Sequence, residues 1–347
     1  MTLRVLQWTT GNVGRRSLKA ILSHPGYELA GVYAFGADKV GRDAAELCGL
    51  DEPTGVIATD DVEALLATGA DACSYNPMWP DVDHMARLLS AGVNISSTAG
   101  FITGRALGEE AVARLEAAGH EGGASLFGSG INPGFANLFG LVSTQVCDRV
   151  DSIRVIESVD STDYDSGETE LSVGYTLPLD TPGLLDKTKT ATAVFGDAVA
   201  MMADALGVEL DEITFDCDYA AATAEEDLGY ITLPADGVAA LDGRWRGRLG
   251  GRDLIVLNFQ WKKGRTVEPP FQLRHGYHVE IEGEPNVHSQ LMIFPGRDWA
   301  EPSYMGLGMI MTAMPAVNAI PAVVAARPGI VTYAELDLVT AGGFVTR

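Results

Sequence analysis

Cysteine is scarce in this 347-residue chain, which carries four such residues. None belongs to a C-x-x-C pair, and none lies at metal-ligand spacing from a histidine, so the sequence predicts no metal site. We interpret the cysteines as reduced thiols, which predicts a cytoplasmic protein. They are Cys48, Cys73, Cys147 and Cys217.

Basic residues are also few, with 24 Lys and Arg against 47 Asp and Glu and a formal net charge of −23. Such a charge repels nucleic acid and anionic lipid, so we predict a small-molecule partner and neither nucleic acid nor membrane. Long apolar runs are missing as well. The nearest candidate, over residues 305–320, contains Pro315 and Asn318, and Arg4 interrupts the start before a signal segment forms.

The remaining composition is that of a globular protein, with 46% hydrophobic and 20% charged residues. A chain of this length exceeds one typical hydrophobic core and suits two domains.

The first stretch of the chain is an apolar run that ends in glycines and continues into a helical pattern. The run 3–8 predicts a buried strand, and Gly11 and Gly14 predict a tight turn into a helix N-terminus, where main-chain N–H groups bind phosphate. The full G-x-G-x-x-G pattern is absent because Thr9 stands at its first glycine, so an ordinary β-α turn is the alternative. The cofactor-binding residues predicted here are Thr10, Gly11, Asn12, Val13 and Gly14.

The second strand, over residues 27–34, ends without a carboxylate. In NAD-binding units an acidic residue near this point bonds the ribose hydroxyls. Here the first acid is Asp38, and Lys39 and Arg42 follow it. We therefore predict that both cations contact a 2′-phosphate and that NADP is preferred over NAD; the alternative is that they are solvated loop charges.

Short apolar strands alternate with helical patterns up to about residue 148, which predicts a parallel, doubly wound sheet of the Rossmann type over residues 1–148. A short strand is also predicted over residues 55–59. Ligands bind beyond the carboxyl ends of such strands. Asn76, Thr98 and Asn132 stand at three of those ends and are predicted to contact the cofactor, with turn capping as the alternative.

The pattern changes in the second half, where residues 277–282 and 287–293 alternate around a Gly-Glu-Pro-Asn turn and predict a hairpin. We predict an α+β mixed-sheet domain over residues 149–305, for substrate and dimer contacts. Residues 306–347 are expected to complete the first domain, beginning with a helix broken around Pro315 and Pro321.

Four segments give the chain a resemblance to the dihydrodipicolinate reductase-like superfamily, closest to its 2,4-diaminopentanoate dehydrogenase and native amine dehydrogenase branch. The resemblance implies an N-terminal Rossmann domain, a C-terminal sheet domain on the substrate side and a homodimer. The segments are Thr10-Gly11-Asn12-Val13-Gly14, Lys39-Val40-Gly41-Arg42-Asp43, Gly130-Ile131-Asn132-Pro133-Gly134-Phe135 and Asn318-Ala319-Ile320-Pro321.

Two departures from the superfamily bear on the reaction. The paired histidines of dihydrodipicolinate reductases are missing, since none of the six histidines is adjacent to another, which argues against a role in lysine biosynthesis. The glutamate that handles the amine proton in amine dehydrogenases is also missing, because Ala99-Gly100-Phe101 stands in its place.

Residues 155–186 contain eight carboxylates and no Lys or Arg. The resemblance implies that this region faces the nicotinamide, where acidic groups attract an ammonium or iminium group and supply the missing carboxylate. A solvated acidic loop is the alternative. Tyr164 and Tyr175 are the predicted catalytic residues, because a phenol donates to a heteroatom that gains negative charge during hydride transfer; strand packing is the alternative for both.

The sequence therefore predicts an NADP(H)-dependent oxidoreductase of the amine dehydrogenase type, which transfers hydride to the C=N or C=O carbon of a small ketone-derived substrate. An ammonia-independent ketone or imine reductase and a non-catalytic NADP-binding protein are the alternatives. Two observations distinguish these three hypotheses: whether the protein oxidises NADPH when a ketone is supplied, and whether that oxidation requires ammonium.

Overall fold

The computed structural model describes residues 2–301 and 303–345. The chain divides into two compact units. The first is formed by the described residues up to Phe135 and from Gly308 onward, and the second by Ala136–Leu307.

The described residues form fifteen strands and ten α-helices. The strands are β1 (Leu3–Trp8), β2 (Tyr27–Tyr33), β3 (Ala72–Tyr75), β4 (Asn94–Ser97), β5 (Ser125–Gly128), β6 (Arg149–Asp160), β7 (Glu212–Ala222), β8 (Glu226–Asp227), β9 (Thr232–Leu233), β10 (Val238–Leu249), β11 (Arg252–Lys262), β12 (Val267–Glu268), β13 (Gly276–Glu284), β14 (Val287–Leu291) and β15 (Gly329–Val331). The helices are α1 (Asn12–Ser23), α2 (Ala44–Cys48), α3 (Val62–Leu66), α4 (Val82–Ser90), α5 (Glu109–Gly122), α6 (Ala136–Ser143), α7 (Gly167–Val173), α8 (Leu184–Ala191), α9 (Ala193–Leu206) and α10 (Met305–Ala325).

The first unit is built on a six-stranded parallel sheet in the order β15-β5-β4-β3-β1-β2. β1 pairs with β2 on one side and with β3 on the other, so the chain reverses direction across the sheet at β1. Ligands of open parallel sheets bind at such a reversal, outside the carboxyl ends of the strands. The predicted strand over residues 55–59 is wrong, since only isolated bridges form there, between Tyr33 and Thr59 and between Asp43 and Ile57.

Helix α10 returns to this sheet as one continuous helix, so the predicted break at Pro315 and Pro321 is wrong. Proline removes one helical hydrogen bond, which leaves the carbonyl four residues earlier without its partner. For Pro321 that carbonyl belongs to Val317, and it accepts the Tyr27 hydroxyl at 3.0 Å. The Ser96 hydroxyl donates to the adjacent Ala316 carbonyl at 2.7 Å. The sheet thus supplies a donor to the carbonyl that Pro321 leaves without its helical partner, and a second donor to the neighbouring carbonyl.

By length and composition α10 is apolar enough to cross a membrane, which corrects the expectation that no run reaches that length; 39% of its most apolar window is buried. Its side chains pack on the parallel sheet: Val317 and Ile320 lie with Val5, and Val323 lies with Phe127. Burial of these side chains in the first unit accounts for part of that apolar character.

The second unit is a seven-stranded mixed sheet in the order β12-β7-β10-β11-β6-β13-β14, antiparallel except between β11 and β6. The predicted hairpin is present as β13 and β14. Helix α9 packs on the sheet through Gly196, where an added Cβ would lie 2.8 Å from the Trp245 ring. Helix α6 belongs to this unit because Gly140 lies equally close to Val155 of β6. A parallel Rossmann sheet and a mixed-sheet α+β unit confirm the predicted fold class.

Candidate functional site

The turn between β1 and α1 brings two stretches of main chain into close contact. Thr9 has a φ of 68°, a left-handed conformation that is uncommon for residues other than glycine. A Cβ on Gly14 would lie 2.4 Å from the Thr9 carbonyl oxygen, so only glycine lets α1 start here. Gly11 caps α1 without a side chain, and a Cβ there would meet nothing within 4 Å. The first N–H groups of α1 are therefore accessible to an anion.

A buried glutamine holds this turn in its unusual conformation. The Gln7 amide nitrogen donates to the Thr9 carbonyl at 2.8 Å and to the Asn76 Oδ1 at 2.7 Å. The Asn76 Nδ2 in turn donates to the Thr98 hydroxyl at 2.9 Å. The structure thus brings the predicted residues Asn76 and Thr98 together at the carboxyl ends of β3 and β4. Gln7 was not among the predicted site residues, although a single amide side chain inside an apolar strand indicates a buried hydrogen-bonding role.

Two further groups of the turn suit a pyrophosphate. The hydroxyls of Thr9 and Thr10 are buried and have no hydrogen-bond partner within the described chain. Because buried hydroxyls normally have partners, these two suit the acceptor oxygens of a ligand. The Lys39 ammonium lies 3.3 Å from the Thr10 carbonyl oxygen and brings a positive charge to the same turn. These donors fit the phosphates of a dinucleotide.

The loop after β2 carries the other predicted cation. The Arg42 guanidinium pairs with Glu46 at 2.6 Å and donates to the Asp38 carbonyl at 3.3 Å, and both side chains of the pair are exposed. Asp43 fixes the loop: its carboxylate accepts the main-chain N–H groups of Ala45, Thr54 and Gly55, which lowers its pKa to about 2. Arg42 is thus presented at the surface from an anchored loop.

Asn132 follows β5 in an irregular turn, joined to Pro133 by a cis peptide bond. Gly134 has a φ of 137°, and a Cβ there would lie 2.6 Å from the Ser129 hydroxyl oxygen. That hydroxyl lies 2.7 Å from the Tyr333 hydroxyl, which ties the turn to the segment after β15. Asn132 therefore stands on a tightly packed turn at the same edge of the sheet as Asn76 and Thr98.

The two predicted catalytic tyrosines lie in different surroundings within the second unit. Tyr175 is 2% exposed, and its hydroxyl lies 3.5 Å from the Ser161 hydroxyl. Tyr164 is half-buried. Burial raises the pKa of Tyr164, and the negative charge of Glu157 adds to the shift, so Tyr164 keeps its proton at neutral pH. Glu157 is itself buried in β6 and accepts the Tyr277 hydroxyl at 3.2 Å.

The acidic region has one buried cation partner that sequence reasoning missed. Lys263 lies just after β11, fully buried, with its Nζ 2.6 Å from the Glu170 Oε2. Ninety-three positions separate the two residues, and local sequence patterns carry no signal for such a pair. Among residues 2–301 and 303–345, no group of three or more His, Cys, Asp or Glu side chains is placed to hold a metal ion.

Comparison with known proteins gives matches over most of the chain. The model of the 2,4-diaminopentanoate dehydrogenase C-terminal domain matches residues 137–343. A protein named amine dehydrogenase from Streptomyces virginiae is 32% identical over 348 residues, which cover 95% of this chain and 94% of that protein. The 2,4-diaminopentanoate dehydrogenase of Acetoanaerobium sticklandii is 28% identical over 224 residues, which cover 63% of this chain and 59% of that protein.

Among solved structures, that of an amine dehydrogenase from Mycobacterium smegmatis matches with a TM-score of 0.77 at 21% identity. The match covers 98% of this chain and 97% of that one. At this level of identity the likeness shows a shared fold.

Proposed function

The chain belongs to the 2,4-diaminopentanoate dehydrogenase C-terminal domain family, and we propose that it is an NADP(H)-dependent oxidoreductase of the amine dehydrogenase type. The predicted resemblance and the class of NAD(P)-dependent oxidoreductase are both confirmed by its dehydrogenase relatives. In the proposed reaction a ketone, ammonia, a proton and NADPH give an amine, water and NADP⁺. Homodimer formation and a cytoplasmic location stay predictions.

The turn between β1 and α1 is the observation that carries the cofactor proposal. In it Thr10, Gly11, Asn12, Val13 and Gly14 present the α1 N-terminus to the pyrophosphate. The Lys39 ammonium, which the sequence assigned to the 2′-phosphate, lies beside this turn and is proposed to contact the pyrophosphate instead. Asn76, Thr98 and Asn132 are proposed to contact the nicotinamide half, because they stand at the carboxyl ends of β3, β4 and β5. When bound, the cofactor supplies a hydride.

On the substrate side we propose Tyr164 as the donor to the reacting heteroatom. A tyrosine phenol is protonated at neutral pH in any case, and burial and the charge of Glu157 raise the pKa of Tyr164 further. Glu157 is proposed to take the place of the absent glutamate, since it is the buried carboxylate that acts on Tyr164. Tyr175 is less suited to donate, because its hydroxyl is enclosed beside Ser161.

The preference for NADP is tested with Arg42. The loop after β2 presents this guanidinium, and β2 ends without a carboxylate. Arg42→Ala should therefore weaken NADPH binding about tenfold or more, the range of one charge-assisted hydrogen bond. NADH binding should change little, because NADH lacks the 2′-phosphate. Isothermal titration calorimetry with both cofactors measures the difference.

Arg87→Ala is the matched control, since Arg87 also lies on the first unit and pairs with an exposed glutamate, Glu63. It should leave both affinities unchanged. An equal loss of NADPH and NADH affinity in the Arg42 variant would refute the 2′-phosphate contact.

The reaction itself is tested with a panel of small ketones and NADPH, with and without ammonium. Reductive amination predicts that NADPH is consumed only when ammonium is present, because the imine is the acceptor of the hydride. The readout is NADPH absorbance together with product mass.

An ammonia-independent reductase is the second candidate, and one observation favours it. The segment just after β4 carries Ala99 and Phe101, both buried, where amine dehydrogenases carry the glutamate. If ketones were reduced at the same rate without ammonium and the product were an alcohol, this second reading would replace the first.

A further inference from the structure

The buried ammonium of Lys263 has more partners than its ion pair requires. Its side chain is 0% exposed, and its Nζ lies 2.6 Å from Glu170 and donates to the Tyr230 hydroxyl at 2.7 Å. Burial lowers the pKa of Lys263, whereas the Glu170 carboxylate at this distance favours the ammonium form. A buried ion pair gives little net stability, because desolvation offsets the attraction. The presence of this buried ion pair therefore needs an explanation other than stability.

The remaining contacts of Lys263 are to the main chain of residues 161–164. Its Nζ donates to the Ser161 carbonyl and, at 3.4 Å, to the Tyr164 carbonyl. The same Ser161 carbonyl accepts the Tyr164 N–H at 3.0 Å, which closes a turn. One ammonium thus holds both ends of the turn that carries the Tyr164 side chain.

Neighbours of Lys263 hold the middle of that turn. The Tyr230 hydroxyl, which accepts from Lys263, donates to the Thr162 carbonyl at 2.8 Å. The Gly264 N–H donates to the Thr162 hydroxyl at 3.0 Å. Asp160, Asp163 and Asp165 place three negative charges on or next to this turn. The buried ammonium attracts all three and so offsets the repulsion among them.

We propose that Lys263, paired with Glu170, is a positioning residue for the reaction, because it fixes the turn of residues 161–164 and thereby the phenol of Tyr164. The inference rests on the proposed function, in which Tyr164 donates to the reacting heteroatom. Lys263 does not itself meet the substrate, since its side chain is fully buried.

The test removes both charges together, in Lys263→Met with Glu170→Gln, so that no buried carboxylate is left alone. Misplacing a donor by about 1 Å costs about 100-fold in rate, so kcat should fall by about that factor while NADPH affinity stays within about twofold. Hydrogen exchange of the Tyr164 amide should accelerate about tenfold, as expected for a loosened hydrogen bond.

A double-mutant cycle with Tyr164→Phe separates positioning from general damage. If Lys263 acts through Tyr164, adding the Lys263 and Glu170 changes to Tyr164→Phe should lower kcat little further. If the kcat losses of the Tyr164 variant and of the Lys263 and Glu170 variant multiplied in the combined variant, the proposal would be overturned. An unchanged exchange rate at the Tyr164 amide would overturn it as well.

Lys189→Met is the matched control. Lys189 is an exposed lysine on α8 of the same unit, so rate and exchange should both match the parent protein. If the parent reduced no carbonyl compound at all, the proposed function would fail, and the exchange measurement would still decide whether Lys263 holds the turn.

Discussion

Replacing Gly11 by aspartate is expected to weaken NADPH binding at least 100-fold without destabilising the fold. A Cβ at this position meets nothing within 4 Å, and Gly11 already has the extended conformation of a helix cap. An aspartate there would accept the α1 N–H groups itself and so stabilise the helix by a few tenths of a kcal/mol or more. The same carboxylate would occupy and repel the phosphate site, at a cost of about 3 kcal/mol from lost charge-assisted hydrogen bonds and repulsion.

Gly11→Asn separates the two causes, because asparagine caps the helix equally well and carries no charge. The aspartate variant should bind NADPH more weakly than the asparagine variant, and both should melt at or above the temperature of the parent protein. Binding is measured by calorimetry and melting by circular dichroism. Unchanged NADPH affinity in Gly11→Asp would show that the pyrophosphate lies elsewhere.

Tyr164→Phe is expected to lower kcat about 100- to 10,000-fold, the range of general acid catalysis. The change removes one hydroxyl from a half-buried ring, so the second unit should stay folded. NADPH affinity should be unaffected, because the proposed cofactor site is the glycine turn of the first unit. Steady-state rates with a substrate from the ketone panel, together with NADPH titration, provide the measurement.

Two tyrosines serve as comparisons. Tyr304, which is 64% exposed, should tolerate Tyr304→Phe without loss of rate. Tyr175→Phe should lower the rate far less than Tyr164→Phe, since its hydroxyl is enclosed beside Ser161. A larger loss in the Tyr175 variant would move the donor role to that residue.

The sequence was sufficient to predict the two sheets, because strand and helix periods and glycine turns are local signals. The hairpin of β13 and β14 and the glycine turn after β1 were both readable in this way. The continuity of α10 through its two prolines could not be predicted from local signals. The hydroxyl that compensates for Pro321 belongs to Tyr27, which stands more than 200 positions away. A rule about proline within one segment therefore gave the wrong helix.

The site was predictable only in part for the same reason. Residues at strand ends, such as Asn76 and Thr98, follow from where parallel strands stop. Gln7 and Lys263 act through partners 69 and 93 to 102 positions away, and only the fold shows which partner each one meets. Burial likewise separates Tyr164 from Tyr175, which the sequence placed together.

The central claim is that NADPH delivers a hydride to the carbon of a C=N bond. Its most direct test supplies a ketone, ammonium and NADPH deuterated at the transferring C4 position, and weighs the product by mass spectrometry. The account predicts an amine carrying one deuterium on the carbon bonded to nitrogen. An unlabelled amine, or a deuterated alcohol formed equally without ammonium, would contradict it.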